Sequence, residues 1–454
     1  MRSLAIGALA LTFTALLIGC GGPDKTSSST ATTDLTPTKE APTGEGKLDG
    51  KVDVQAFKGG YGIDFYQAAA KEFDAKSGTQ TTVDGNPRVW ESLRLRFISG
   101  DVPDLVFPGW GMDHWALAEE GQLMTLDKAL DSKPYGGTGE WRDTFEPTLL
   151  ALGQNDGKQY VLPYYFNVLG WWYDPGVFAK NGWTPPKTYD DLLALCTKIK
   201  AKGMAPITFQ GKYPYYMIQG MLMPWLRDVG GQKAAMDAQN LEPGAWKSPA
   251  MLKAATMIDE LNKKGFFQTG AVAMSHTESQ QEFLQGHAAM IPCGTWLSSE
   301  EKNSTPPGAK MEFMLPPAVP GEGDPSAVII GIEPWMVPAD AKNANAGVAL
   351  FKYMTSLDEA KKFVKEKATL MAIKGSDADL PEVLKVASEK FKASKGVWAL
   401  QYRDWYTKFD TETQNALTSM LNGQLTPQAF CDRCEKEAQK VRDDIAIKKH
   451  KVTA

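Results

Sequence analysis

QYVLPYYFNVLGWWYD, residues 159–174, holds seven aromatic residues in sixteen. Six of them arrive in two clumps, Tyr164-Tyr165-Phe166 and Trp171-Trp172-Tyr173, rather than at the three-to-four spacing of a helix face. Such a stretch reads as extended chain covered on both sides, or as a surface made for stacking. Pro163 favours an extended Leu162 and has no N–H for a central ladder. We therefore expect a crossing between two lobes at 162–167 and a separate buried strand at 169–173. An ordinary aromatic core strand remains open for Trp171 and Trp172.

The chain before this stretch alternates strand and helix. A strand is expected at 52–57, then the loop Gly59-Gly60-Tyr61-Gly62 and a helix with Phe65, Ala69 and Phe73 on one face, ending at Gly78. A strand at 81–83, a polar loop at 84–88, a helix bearing Trp90, Leu93 and Phe97, and a short strand at 105–107 follow. This alternation marks a parallel α/β sheet, whose ligands bind at loops beyond the carboxyl ends of the strands. The loops at 59–62, 85–88 and 108–113 then face one crevice. GGYG is not a dinucleotide fingerprint, and the chain has no phosphate-binding GxxxxGK[ST].

Beyond the aromatic stretch, Thr188 is placed to cap a helix running to about residue 202, with acids in its first turn. A strand at 206–209 leads to a second aromatic cluster, Tyr213, Tyr215 and Tyr216. Helices are expected over 217–265 with a break near Pro243, and another over 277–286. A strand at 288–291 ends in Gly294-Thr295-Trp296, and the Pro- and Gly-rich 316–325 reads as a second crossing. A strand at 327–332 ends in Glu333-Pro334-Trp335. Helices follow at 345–356 and 358–367, a further crossing at 368–374, and a helical remainder carrying Trp398.

At 454 residues the chain should form two or three domains, and its net charge of −5 argues against nucleic acid as a partner. Arg2, an apolar run over 4–18 and Leu17-Ile18-Gly19-Cys20 look like a secretory signal, too short to span a membrane comfortably. The closing tetrapeptide resembles the lipobox of bacterial lipoproteins, which implies removal of residues 1–19 by cleavage before Cys20 and lipidation of Cys20. Residues 20–49, rich in Ser, Thr, Gly and Pro, are expected to be a flexible tether. Cys431-x-x-Cys434 is weak evidence for zinc and falls in a terminal helix opened by Thr426-Pro427, so a structural role or free thiols are expected rather than a metal site.

Taken together, the two α/β halves resemble the extracellular solute-binding proteins of sugar ABC importers, of the maltose-binding type. The shared marks are Ser99-Gly100-Asp101-Val102-Pro103-Asp104-Leu105-Val106, Glu120-Gly121-Gln122-Leu123, Tyr160-Val161-Leu162-Pro163 and Trp172-Tyr173-Asp174. Gly286-His287-Ala288-Ala289-Met290 before Gly294-Thr295-Trp296 completes the set. The run of cleft residues is similar to the branch assigned to N-acetylglucosamine or chitobiose. One departure is Asp174-Pro175 where that family has Asn-Lys.

The resemblance implies an α/β fold of two lobes joined by a multi-strand hinge: residues 50–163 plus 317–368 in one lobe, 164–316 plus 369–454 in the other. It implies a small carbohydrate ligand, no cofactor and no catalysis. Delivery to the membrane subunits of an ABC importer follows, by a monomer held by its lipid anchor outside the cytoplasm. Carried over by position, Tyr61, Arg88, Trp110 and Asp113 line one wall. Tyr165, Asn167, Tyr213, Tyr215, Trp296 and Trp398 line the other, with Glu333 and Trp335 on the hinge. These residue types suit a pyranose: rings cover its C–H face, while carboxylates, amides and guanidinium take its hydroxyls. Two rivals stand beside this reading. A glycoside hydrolase would need a carboxylate pair, and Glu333 with Asp113 is the one available; a receptor for another protein would need an exposed apolar patch.

Overall fold

The computed structural model describes residues 38–109 and 112–452. The first half opens with strand β1 (Lys51–Ala56), whose alternate residues Val52, Val54 and Ala56 turn inward. Helix α1 (Asp64–Ser77) buries Phe65, Tyr66, Ala69 and Phe73 and stops at Gly78, whose φ of 83° needs no Cβ penalty. Strand β2 (Gln80–Asp84), helix α2 (Val89–Ser99) and strand β3 (Leu105–Phe107) follow, and β1 pairs in parallel with both β2 and β3. Helix α3 (His114–Glu119) begins just past the next loop.

The aromatic stretch is one strand, β4 (Val161–Tyr173), thirteen residues long and buried throughout. It is not a crossing followed by a separate strand. Pro163 is tolerated because its partner across the ladder is Pro334, so the two residues without an N–H face each other. After β4 come helix α4 (Tyr189–Ala201) and strands β5 (Ala205–Ile207) and β6 (Ala288–Gly294), the last two parallel to each other. Between them helix α5 (Met223–Gln239) kinks at Gly231, with φ 73°, and the expected break near Pro243 lies between its end and the next α-helix, Pro249–Lys263.

Strands β7 (Glu312–Met314), β8 (Val328–Met336), β9 (Leu370–Met371) and β10 (Val397–Ala399) complete a ten-stranded sheet. Its spine runs β2-β1-β3-β8-β4-β6-β5, with β7 and β9 added to β4 and β10 to β8. The second crossing is made by β8, antiparallel to β4, and not by the Pro-rich segment 316–325 before it. β8 meets β3 at Met336 and Val106, while the far end of β4 pairs with β6. These two long strands thus carry the sheet from one parallel half to the other.

The segment 38–49, expected as tether, is packed on the first half. Ala41 is fully buried, and Ala41 and Lys39 exchange backbone hydrogen bonds with Thr125 at 2.7 and 2.9 Å. Small residues made it look incapable of burial, but Ala41 and Gly44 fit where large side chains would not. Gly44 lies so close to Ala349 that a Cβ would come within 2.9 Å of its nitrogen. The signal segment, Cys20 and the tether as far as residue 37 lie outside the described residues. Cys196, Cys293, Cys431 and Cys434 are all buried and free, the last two on the C-terminal helix, Pro427–Asp443.

Candidate functional site

Where β4 and β8 run side by side, two residues of β4, Tyr164 and Tyr165, stand opposite the single Glu333. Such a bulge re-aims side chains. Tyr164 goes to the core, while Tyr165 and Glu333 line a cavity of about 670 Å³. Asn167, two residues on, forms its floor. Its amide oxygen accepts from the Tyr61 hydroxyl at 3.3 Å and from Thr295 Oγ1 at 3.2 Å. Tyr61 comes from the glycine loop after β1 and meets Tyr165 edge-on, with ring centroids 4.9 Å apart. The same loop contributes Gly59 and Gly60, and Phe57 before it and Trp90 on α2 line the same wall.

The opposite wall is built where β6 ends. Gly294 is required there: a Cβ would stand 2.0 Å from the Trp296 ring, which folds back over the backbone. The Trp296 indole N–H donates to the Tyr216 hydroxyl at 3.1 Å, and Gln280 Nε2 donates to the same oxygen at 3.0 Å. Tyr215 packs edge-on against Tyr216 at 4.9 Å and lies under the Arg403 guanidinium at 5.1 Å. His276, at the start of helix α6 (His276–Leu284), packs beside both tyrosines.

Several buried polar atoms here have no partner within the chain: Glu333 Oε2, Gln219 Oε1, Gln280 Oε1 and His276 Nδ1. An orphaned buried acceptor costs about 1–3 kcal/mol, so this set is unfavourable unless something fills the cavity. Burial, and then the nearby Asp404 carboxylate, hold the Glu333 carboxyl well above the usual carboxylate range. Glu300, at the rim, is also raised by desolvation. Glu333 is 3% exposed and in its neutral form can donate as well as accept.

Of the residues expected at the site, Tyr61, Tyr165, Asn167, Tyr215, Trp296 and Glu333 come together in this cavity. The others go elsewhere. Arg88 is exposed and paired with Glu91 on its own helix turn. Asp113 caps α3, accepting from Ala116 N at 2.9 Å. Tyr213 is exposed and stacks on the outer side of His276 at 5.5 Å. Trp335 is sealed in the first-half core, stacked on Phe107 and Phe351, both at 5.4 Å. It lies past the cavity along β8, at the level where that strand joins β3. Trp398 lines a different cavity. Trp110 lies outside the described residues. The expected pair of Glu333 with Asp113 is not assembled, because Asp113 lies outside the cavity that Glu333 lines.

Sequence reading missed Phe57, Trp90, Tyr216, Gln219, His276, Glu300 and Arg403. Tyr216 and Trp90 carried a signal, each beside a chosen residue in an aromatic or loop-end position. Gln219, His276 and Arg403 sit on helices or helix ends with no local mark.

Two halves of an α/β sheet, joined by paired crossing strands and enclosing an aromatic and polar cavity, define a receptor that surrounds a small solute. The profile of the bacterial extracellular solute-binding proteins matches residues 59–361, and the chain belongs to that family. It is therefore an extracytoplasmic binding protein and not an enzyme. It is 27% identical over 417 residues to the diacetylchitobiose binding protein NgcE of Streptomyces coelicolor, covering 88% of this chain and 87% of that one. It is 24% identical to the multiple sugar-binding protein of Streptococcus mutans, covering 72% and 76%. Among solved structures, a chitin oligosaccharide binding protein superposes with a TM-score of 0.71 at 21% identity, covering 86% of this chain and 98% of that one. The raffinose complex of RafE gives 0.68, covering 86% and 99%. Among the described residues no helix is long and apolar enough to cross a membrane.

Proposed function

We propose that this chain captures a short amino-sugar oligosaccharide of the diacetylchitobiose kind and delivers it to the membrane subunits of an ABC importer. The observation that carries the reading is the cavity itself. About 670 Å³ of space is bounded by Tyr61, Tyr215 and Trp296 rings and by unpartnered polar atoms of Glu333 and Gln219. That volume sits within the range of about 300–1,000 Å³ usual for small-molecule sites. Rings supply faces for C–H groups, and a neutral carboxyl and two amides suit an acetamido group, which offers one donor and one acceptor. The relation to the Streptomyces diacetylchitobiose binding protein supports the same ligand class.

On this reading the lobes are 38–163 plus 317–368 and 164–316 plus 369–452. The chain works as a monomer, held by a lipid on Cys20 through the segment from there to residue 37. A thermal-shift and calorimetric panel of N-acetylglucosamine, diacetylchitobiose, maltose and raffinose tests the ligand. At one hundred times its dissociation constant the true ligand adds about 2.7 kcal/mol of stability. Heat and stabilisation with maltose but not with diacetylchitobiose would overturn the assignment. For the anchor, Cys20→Ala should move the protein from the membrane fraction to the medium or periplasm.

A further inference from the structure

Two more cavities adjoin the first. A narrow one of about 60 Å³ shares Gln219, Gly331, Glu333 and Arg403 with it. This neck in turn shares Leu152, Ala399 and Gln401 with a third cavity of about 750 Å³. The three follow one another along the sheet, because β10, which carries Trp398 and Ala399, pairs in parallel with β8 just before Gly331 and Glu333. The far cavity is walled by residues 148–156 of the first half and by α5 of the second, with residues 448–452 across it.

Its chemistry repeats that of the first. Two partly exposed indoles, Trp398 and Trp405, line it, and so do the amides of Asn155, Gln232 and Gln239. The basic groups around it already have partners. Lys448 pairs with Asp156 at 2.9 Å, Lys451 with Glu242 at 2.9 Å, and Arg227 donates to the Asp324 carbonyl at 3.0 Å. Lys449 donates to the Asp444 carbonyl at 2.6 Å, Arg227 lies over the Trp398 ring at 5.7 Å and His450 stacks on Trp405 at 5.1 Å. What the cavity adds is the uncovered parts of the two rings and the exposed Gln232 amide, which fit a neutral saccharide. The neck is far below the size of a ligand site, so a ligand cannot thread it. A chain laid in while the halves stand apart would cross the neck at a linkage, beside the unpartnered oxygens of Glu333 and Gln219, which are 3% and 7% exposed.

We propose that the Trp398–Trp405 cavity is a second saccharide subsite continuous with the first, so that the preferred ligand is an oligosaccharide longer than a disaccharide. This rests on the amino-sugar reading above.

The test is calorimetry with N-acetylglucosamine oligomers of two to five units on the wild-type protein and on Trp398→Ala, Gln232→Ala and Trp296→Ala. Affinity should rise at least tenfold from dimer to pentamer. Trp398→Ala should remove most of that rise and leave the dimer unchanged, which also shows that the variant is folded. Gln232→Ala, on an exposed wall and away from the sheet, should weaken the pentamer alone by about threefold, one neutral hydrogen bond. Trp296→Ala should weaken every length. Equal affinity for dimer and pentamer in the wild type would overturn the second subsite and leave the first intact. So would a Gln232→Ala protein that binds the pentamer as tightly as wild type while Trp398→Ala loses dimer and pentamer alike. Binding of no oligomer at any length would overturn the amino-sugar reading and this inference with it.

Discussion

Glu333 holds a carboxyl without a counter-charge on a strand that crosses the middle of the protein. Burial and the facing Asp404 keep it well above the usual carboxylate range, and burial pushes Asp404 itself up to about 7. A carboxyl whose folded value lies above its unfolded value takes up a proton on folding. Its stabilising contribution is therefore complete below the unfolded value of about 4 and fades as pH rises toward the folded value. Asp404→Asn should flatten the fall in stability between about pH 4 and pH 7, and Glu333→Gln should flatten the fall above the unfolded value as well, while keeping a neutral donor in the cavity. Denaturant titrations across that range check this, and an unchanged slope in both variants would sink it. Trp296 makes a second case. Because an added Cβ would meet its ring at 2.0 Å, Gly294→Ala must turn the indole away, and sugar affinity should fall about tenfold with the fold retained. Tyr61, Tyr215 and Trp296 were legible because they stand in a glycine loop or follow a strand, and Tyr165, Asn167 and Glu333 because they lie on the stretches read as crossing or strand end. Gln219 and Arg403 were not, since only the packing of helices against β4 and β8 turns them toward the same space.

The elements were mostly legible, because their signals are local. Thr188 shows why: its hydroxyl accepts from Asp191 N at 3.1 Å, and the Asp191 carboxylate accepts from Thr188 N at 3.0 Å. That reciprocal cap can be read from Thr-x-x-Asp before an apolar run. Thr188→Ala should cost about 1 kcal/mol, measured as a shift of the unfolding midpoint with unchanged ligand affinity. Crossings were harder to place, because what defines a crossing is the strand it pairs with. Gly170 illustrates this. It reads as a break between clumps, yet it lies in mid-strand because β7 passes over it, with a would-be Cβ 2.3 Å from the Phe313 ring and 2.6 Å from the Met314 carbonyl. Gly170→Ala should cost roughly 1–3 kcal/mol by forcing β7 off β4. A loss under 0.5 kcal/mol in equilibrium unfolding would mean that β7 moves freely.

At the scale of the whole molecule, the C-terminal segment ties the two halves together outside the sheet. From the C-terminal helix, Pro427–Asp443, in the second half the chain reaches Glu119 and Asp156 in the first through Lys448, at 3.5 and 2.9 Å, and Glu119 again through His450, at 2.9 Å. It then returns to Asn240, exchanging hydrogen bonds at Val452 of 2.6 and 3.1 Å. His450 is held neutral, its imidazole pushed down to about 4 chiefly by burial, so the ionic part of the strap is carried by Lys448. Partly exposed ion pairs contribute up to about 1 kcal/mol each and weaken with salt. If opening the halves breaks the strap, Lys448→Ala loses attraction found only in the closed form. It should then weaken ligand affinity by about two- to fivefold at low ionic strength, through faster release, and the difference should vanish near about 0.5 M salt. Stopped-flow release in low and high salt separates the cases: equal release rates at low salt would mean that the strap moves with one half only and that closure is governed by β4, β8 and the ligand.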